Sequence, residues 1–171
     1  MKKIKLILAS LIVLAIFSPA FFAEKTNIYS KRRDLLMNRI QGRAILFSGD
    51  AGQRVDKNFY YLTGIREQNV ILFTSPRATG DFLFIPETNN EEKIKMMATV
   101  SGIKKIFPFE QFDHIFDYSF SWEWNIFFPI SIFDYYYGRH LVSHITLKYP
   151  YFIIKNLTPF LTEMRMIKSE E

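Results

Sequence analysis

Cysteine is absent from the 171 residues, which removes disulfides, thiolate-held zinc, iron–sulfur clusters and a thiol nucleophile from consideration. Glycine is scarce, at 7 residues, so few loops can be built on left-handed backbone. The chain contains no G-x-S-x-G elbow, no phosphate-binding G-x-x-x-x-G-K and no dinucleotide-type G-x-G-x-x-G, which leaves serine-nucleophile and nucleotide readings without a motif. No repeat or low-complexity tract is visible either. The formal charge of +5 shrinks once the leading residues are set aside. Subtracting Lys2, Lys3 and Lys5 leaves 19 basic residues against 17 acidic ones, too even a balance for a nucleic-acid surface. What the chain does have is aromatic bulk: 18 Phe and 9 Tyr within a 49% hydrophobic composition, enough for one well-filled core.

The first residues read as an export signal. Met1 to Lys5 is a short cationic head, Leu6 to Phe17 is an unbroken apolar run, and Ser18-Pro19-Ala20 supplies small residues around a helix breaker. Residues 1–20 are therefore expected to be a signal peptide cut after Ala20, with Ala23 as second choice, giving a periplasmic or secreted protein. The alternative is an uncleaved anchor over residues 6–23, which is only marginally long enough for a bilayer and is interrupted by Pro19.

In the remainder, Ser30 is placed to cap a helix through Lys31–Ile40 with Leu35, Leu36 and Ile40 inward and Gly42 at its end. Ala44–Phe47, Val70–Thr74 and Phe82–Ile85 are apolar runs between turn residues and read as buried strands, the last two as a hairpin pair. Asn90–Ser101 opens with acids and exits at Gly102, as a helix should, and Lys104–Phe107 follows as a fourth strand. Between Phe109 and Tyr137 aromatics are so dense that helix and strand periods overlap. Ile145–Tyr149 and Tyr151–Ile154 suggest edge strands around Pro150, and Thr158-Pro159 starts a last helix with Phe160, Leu161, Met164 and Ile167 on one side. Helices between short buried strands imply an α/β domain with a mixed central sheet flanked by helices.

Candidate chemistry is thin. His140 and His144 have the spacing of a metal-binding helix face, but Leu141 stands where a general-base glutamate would be, and two ligands leave a tetrahedral ion two short. If the segment is a strand the two rings point to one sheet face but far apart. Asp113 and Asp117 would share a helix face and read as solvated surface. The informative segment is Gln53–Ile65, in which Arg54, Asp56 and Asn58 alternate before Phe59-Tyr60-Tyr61-Leu62-Thr63-Gly64. By itself it is a polar loop entering a half-buried strand, with Gly64 allowing a turn. The polar residues could be a hydrogen-bonded clamp or a ligand-facing rim.

That block resembles the F-R-x-D-x-x-F-x-Y-L-T-G signature in the N-terminal domain of Xaa-Pro aminopeptidases (aminopeptidase P) and their prolidase and creatinase relatives. Tyr29–Leu36 is similar to the family's opening helix, and Leu161–Glu171, with Arg165 and Lys168, resembles the segment leading to its catalytic domain. Val55 departs from the usual polar residue, and the loop from Gly49 to Arg54 is shorter than usual. The resemblance implies a ribonuclease H-like α/β domain over residues 28–160, an interdomain segment from 161 to 171, and family-motif positions at Asp50, Arg54, Asp56, Asn58, Tyr61 and Gly64. Asp50 is the one candidate for an acid reaching a neighbouring active site. It also implies a catalytic domain, expected to be missing from this chain, in which two Asp, one His and two Glu hold two Mn, Co or Zn ions and activate water against the bond before proline. No catalytic or metal-ligating residue is assigned here and no cofactor is expected on this chain. The implied partners are that catalytic domain, a further copy of the chain in an oligomer and, for a full-length enzyme, a peptide with proline second. The rival readings are a stand-alone binding or assembly module, and a membrane-tethered protein using the aromatic stretch 109–137 as contact surface.

Overall fold

The computed structural model describes residues 19–40, 42–75, 80–86, 90–118 and 125–168. Most of the expected signal segment, residues 1–18, lies outside them. In chain order the elements are α1 (Pro19–Arg39), β1 (Arg43–Phe47), α2 (Lys57–Thr63), β2 (Ile71–Thr74), β3 (Phe82–Ile85), α3 (Glu91–Ser101), β4 (Lys105–Pro108), α4 (Phe112–Tyr118), β5 (Asn125–Phe128), α5 (Tyr136–Lys148), β6 (Ile153–Asn156) and α6 (Thr158–Lys168). Single 3-10 turns, Phe109–Gln111 and Ile130–Asp134, lead into α4 and α5.

The six strands form one mixed sheet in the order β4-β3-β2-β1-β5-β6. β1 pairs antiparallel with β2, and β2 with β3, while β3–β4, β1–β5 and β5–β6 are parallel. Side chains alternate across the sheet with the two-residue period of a strand. Ala44, Leu46, Leu72, Leu83, Ile85 and Phe127 face one layer, filled by α1, α2, α3 and α6 through Leu36, Phe59, Leu62, Met97, Leu161 and Met164. Ile45, Phe47, Phe73, Phe82, Phe84, Ile126 and Phe128 face the opposite layer, where α4 and α5 contribute Phe112, Phe116, Val142 and Ile145. This second layer holds much of the aromatic surplus. Phe116 packs on Phe73, Phe112, Tyr149 and Phe152 with ring centroids 5.0–6.0 Å apart, in the offset and edge-on geometries aromatic quadrupoles favour.

Several sequence expectations need correction. The opening helix starts at Pro19, so Ser30 lies inside it, and it ends at Arg39 before Gly42. Its inner stripe is Tyr29, Arg33, Leu36, Met37 and Ile40, while Leu35 is exposed. Ile145–Tyr149 belongs to helix α5 and its exit: Val142, Ile145 and Tyr149 recur at helical spacing toward the sheet, whereas their β-branched and aromatic character suggested a strand. The segment 57–63 is also helical, not a half-buried strand.

Candidate functional site

The signature block is short, so its ends decide its structure. Asp56 is the N-cap of α2: one carboxylate oxygen accepts from Asn58 N at 2.8 Å and Phe59 N at 2.9 Å. Asp56 N in turn donates to Ser48 O at 2.7 Å, which ties the cap to the end of β1. At the other end Thr63 Oγ1 donates to Phe59 O and accepts from Ile65 N, and Gly64 takes φ 70°, donating its N–H to Tyr60 O. A Cβ at Gly64 would be driven into the ring of Tyr29. Glycine is thus required there twice, by backbone conformation and by the close approach of α1.

α1 grips this small helix with two arginines. Arg32 donates to Tyr61 O at 2.9 Å and lies over the Tyr61 ring, 4.3 Å from its centroid. Tyr61 continues the chain of contacts by donating its hydroxyl to Met164 O on α6 at 3.3 Å. Arg33 is only 2% exposed, and its guanidinium reaches three elements: Leu62 O of α2 at 2.8 Å, Ser101 O of α3 at 3.0 Å and Asp81 Oδ2, ahead of β3, at 2.6 Å. Two of these acceptors are carbonyls in the last turns of helices, where a cation also meets the negative end of the dipole. Asp81 additionally accepts from Thr74 Oγ1 on β2. Sequence reasoning left Arg33 inside the opening helix without a role. The signal that could have found it is an arginine in the middle of an otherwise apolar helical stripe.

The other motif positions separate in space. Asp50 is buried, and its carboxylate accepts from Tyr136 N at 2.6 Å and Tyr137 N at 3.1 Å, so it holds the start of α5. Arg54 is exposed, on the turn between Asp50 and the α2 cap. Asn58 is buried; its Nδ2 donates to Ser131 Oγ at 3.4 Å, and its Oδ1 has no partner among the described residues. Arg165 lies on α6, 3.5 Å from Thr162 Oγ1, and the Lys168 side chain lies outside the described residues. Of the predicted set, Asp56, Asn58, Tyr61 and Gly64 come together on α2 and its caps. Asp50 and Arg54 belong to the preceding turn.

Among the described residues the two candidate histidines are engaged in other contacts. His140 and His144 do share the α5 helix, but His140 packs on Tyr136 with ring centroids 4.4 Å apart, and His144 Nε2 donates to Asp113 Oδ1 at 2.8 Å. Lys148 Nζ sits 3.1 Å from the other Asp113 oxygen and 3.2 Å from Asp117, so an ammonium already occupies the place where a divalent ion would bind these acids. Partial burial would raise the Asp113 carboxyl, but the hydrogen bonds from His144 and Lys148 outweigh it and hold the group below the usual carboxylate range. Tyr149, which donates to Asp117, is pushed up to about 12 by burial and by that acid. Tyr135 reaches about 12 by burial and the negative charges of Asp56, Asp134 and Asp50. Among the described residues no group of three or more His, Asp or Glu could hold a metal ion, and the donor set does not fit a dinuclear centre.

The sequence profile described as aminopeptidase P, N-terminal domain, matches residues 29–121, more than half of the chain and all of the α2 block with its arginine clamp. The chain belongs to the aminopeptidase P N-terminal domain family. Solved structures agree on the fold. A protein assigned as an aminopeptidase P from Bacillus anthracis superposes with TM-score 0.67 at 23% identity, over 82% of this chain and 40% of that one. Proline aminopeptidase P II from Yersinia pestis gives 0.61 at 19% identity, over 82% and 39%, and Icp55 from Saccharomyces cerevisiae gives 0.56 at 14%, over 82% and 33%. This chain therefore spans about two fifths of the first two and a third of the last. No curated protein matches the sequence. The six-stranded mixed sheet between helix layers is the aminopeptidase P N-terminal domain architecture, and the α2 signature within it is a set of caps and clamps.

Proposed function

We propose that this chain is the exported N-terminal domain of an Xaa-Pro-aminopeptidase-like metallopeptidase, a scaffold that borders and orients a metal-bearing catalytic domain and cleaves nothing by itself. One observation carries the reading: the acids and the glycine of the family motif are engaged in holding the domain together, with Asp56 capping, Gly64 under Tyr29, and Asp50 on the α5 start. A block used in this way leaves the acid–base and metal chemistry of peptide hydrolysis to residues elsewhere. The two Mn, Co or Zn ions, the substrate with proline second, and self-association through this domain belong to the full enzyme in this proposal.

Export rests on the cationic head, the Leu6–Phe17 run and the small residues before Phe21. Among the described residues no helix is long and apolar enough to cross a membrane. The test is recovery of the protein from the cells that make it, with N-terminal sequencing and metal analysis of whatever copurifies. The expected result is a mature chain starting at Phe21 or Glu24, in the envelope or medium, held by a metal-containing partner or domain. Intact Met1-bearing protein in washed membranes would favour the tethered alternative, and a metal-free preparation with no associated domain would favour the stand-alone module.

A further inference from the structure

On the face of the sheet opposite α2, the described residues line a partly open cleft of about 370 Å³ between α4 and α5 that none of the motif residues borders. Its floor is apolar: Phe47 of β1, Ile71 of β2, Phe112 of α4 and Leu141 of α5. Its rim carries Glu110, exposed on the 3-10 turn before α4, and the Tyr137 ring, exposed at the start of α5. Volume and lining are those of a small-molecule site with few convergent polar groups.

The sign of the charge selects the ligand. The Asp113 carboxylate in the same lining already meets His144 and Lys148, so its charge is answered, and Asp117, outside the lining, is bonded to Lys148 and Tyr149. Glu110 makes no ion pair among the described residues, and it is the carboxylate that leaves the mouth negative. Aromatic faces at Phe109, Phe112 and Tyr137 add their own attraction for a cation. We propose that this cleft binds a small arylalkyl or alkyl ammonium, its apolar group on Phe47, Ile71 and Leu141 and its cationic nitrogen at Glu110 and the Tyr137 ring. The site lies apart from the α2 block and does not depend on the peptidase reading.

The test uses the full chain and three probes with one skeleton: phenethylammonium, 2-phenylethanol and 3-phenylpropanoate, followed by saturation-transfer NMR and calorimetry. A ligand of this size in a partly open cleft should show a Kd of about 1 mM for the ammonium. The alcohol should bind roughly fivefold more weakly and the carboxylate more weakly still, as a half-exposed charge contact allows. Glu110→Gln should bring the ammonium down to the level of the alcohol. Leu141→Trp should fill the cavity and abolish binding of all three, and because that variant can fail to fold, Glu110→Gln at its exposed turn decides the matter if melting curves show damage. A phenylalanyl peptide amide and its N-acetylated form separate the two sources of such a group: loss of binding on acetylation, with the peptide tighter than the free amine, supports a peptide N-terminus, and the free amine tighter supports a small amine. Equal binding of the three probes, no saturation transfer with the ammonium at about ten times the expected Kd, or an ammonium affinity unchanged in Glu110→Gln would overturn the proposal.

Discussion

Replacing Arg33 by methionine removes a buried guanidinium while keeping a similar apolar stem, so the effect isolates the clamp. Three acceptors lose their donor at once: Leu62 O, Ser101 O and Asp81 Oδ2. Asp81 keeps the Thr74 hydroxyl and is 22% exposed, so water can recover part of its solvation. The two carbonyls are worse placed, since Leu62 and Ser101 are fully buried at the ends of α2 and α3. Breaking a buried charge contact from one side costs about 3 to 5 kcal/mol, and the partial exposure of Asp81 argues for the lower half of that range. Against a domain stability of about 5 to 15 kcal/mol this is a large fraction. With a urea slope of roughly 1.5 to 2 kcal/mol per molar for a domain of this size, the midpoint should fall by about 2 M. Arg33→Lys should recover only part of the loss, because one ammonium cannot serve three acceptors in the fork geometry. Arg54→Ala, at an exposed turn, serves as the control and should cost under about 0.5 kcal/mol. A midpoint lowered by less than about 0.5 M in Arg33→Met, or an Arg54→Ala loss equal to it, would refute the assignment of the clamp to Arg33.

Gly64→Ala should destabilise by about 2 to 4 kcal/mol, combining a strained left-handed φ with the collision against Tyr29, and Tyr29→Ala should relieve part of it in the double variant, read by the same urea titration. Asp56→Ala should cost about 1 to 2 kcal/mol through loss of the α2 cap, with Asp56→Asn close to neutral; equal losses would point to a charge contact instead of a cap. Tyr149 is held at about 12 in the folded state against an ordinary value of 10, so the folded form retains its proton where the unfolded chain has lost it. Its contribution is complete below pH 10 and disappears as the pH rises toward 12, and Tyr149→Phe should flatten the stability profile in that window. For Asp113 the sign reverses: its lowered carboxyl contributes above the ordinary carboxylate value and is lost as the pH falls below it, so Asp113→Asn should shallow the acid limb slightly, as expected for a surface-accessible group.

Strands β1 to β3 were legible because each is a four- or five-residue apolar run bracketed by Gly, Pro or Ser, and α3 because Asn90 and Gly102 mark both its ends. The stretch 109–137 resisted because strand β5 and helix α4 both present Phe to the same aromatic layer, so composition is the same on either side of the change in period. The α2 block was misread since its seven residues include only two fully buried apolar side chains, Phe59 and Leu62, too few to show a period. Its cap residues, Asp56 and Gly64, were the better signal. For the signature block, sequence named the residues of α2 and its caps but could not show which arginine of α1 turns inward onto them. Arg32, Arg33 and Arg54 are alike in sequence and differ only in the helical face or turn on which they stand.

The central claim is that this domain supports peptidase chemistry without performing it. The most direct measurement is release of the N-terminal residue from an Xaa-Pro peptide by the purified full chain, with and without added Mn, after affinity removal of host peptidases. The account predicts no release above the peptide-only control at any metal concentration, and no metal retained after desalting. Metal-dependent release that follows the protein through every column, and is lost on mutation of His140, His144 or Asp113, would contradict it.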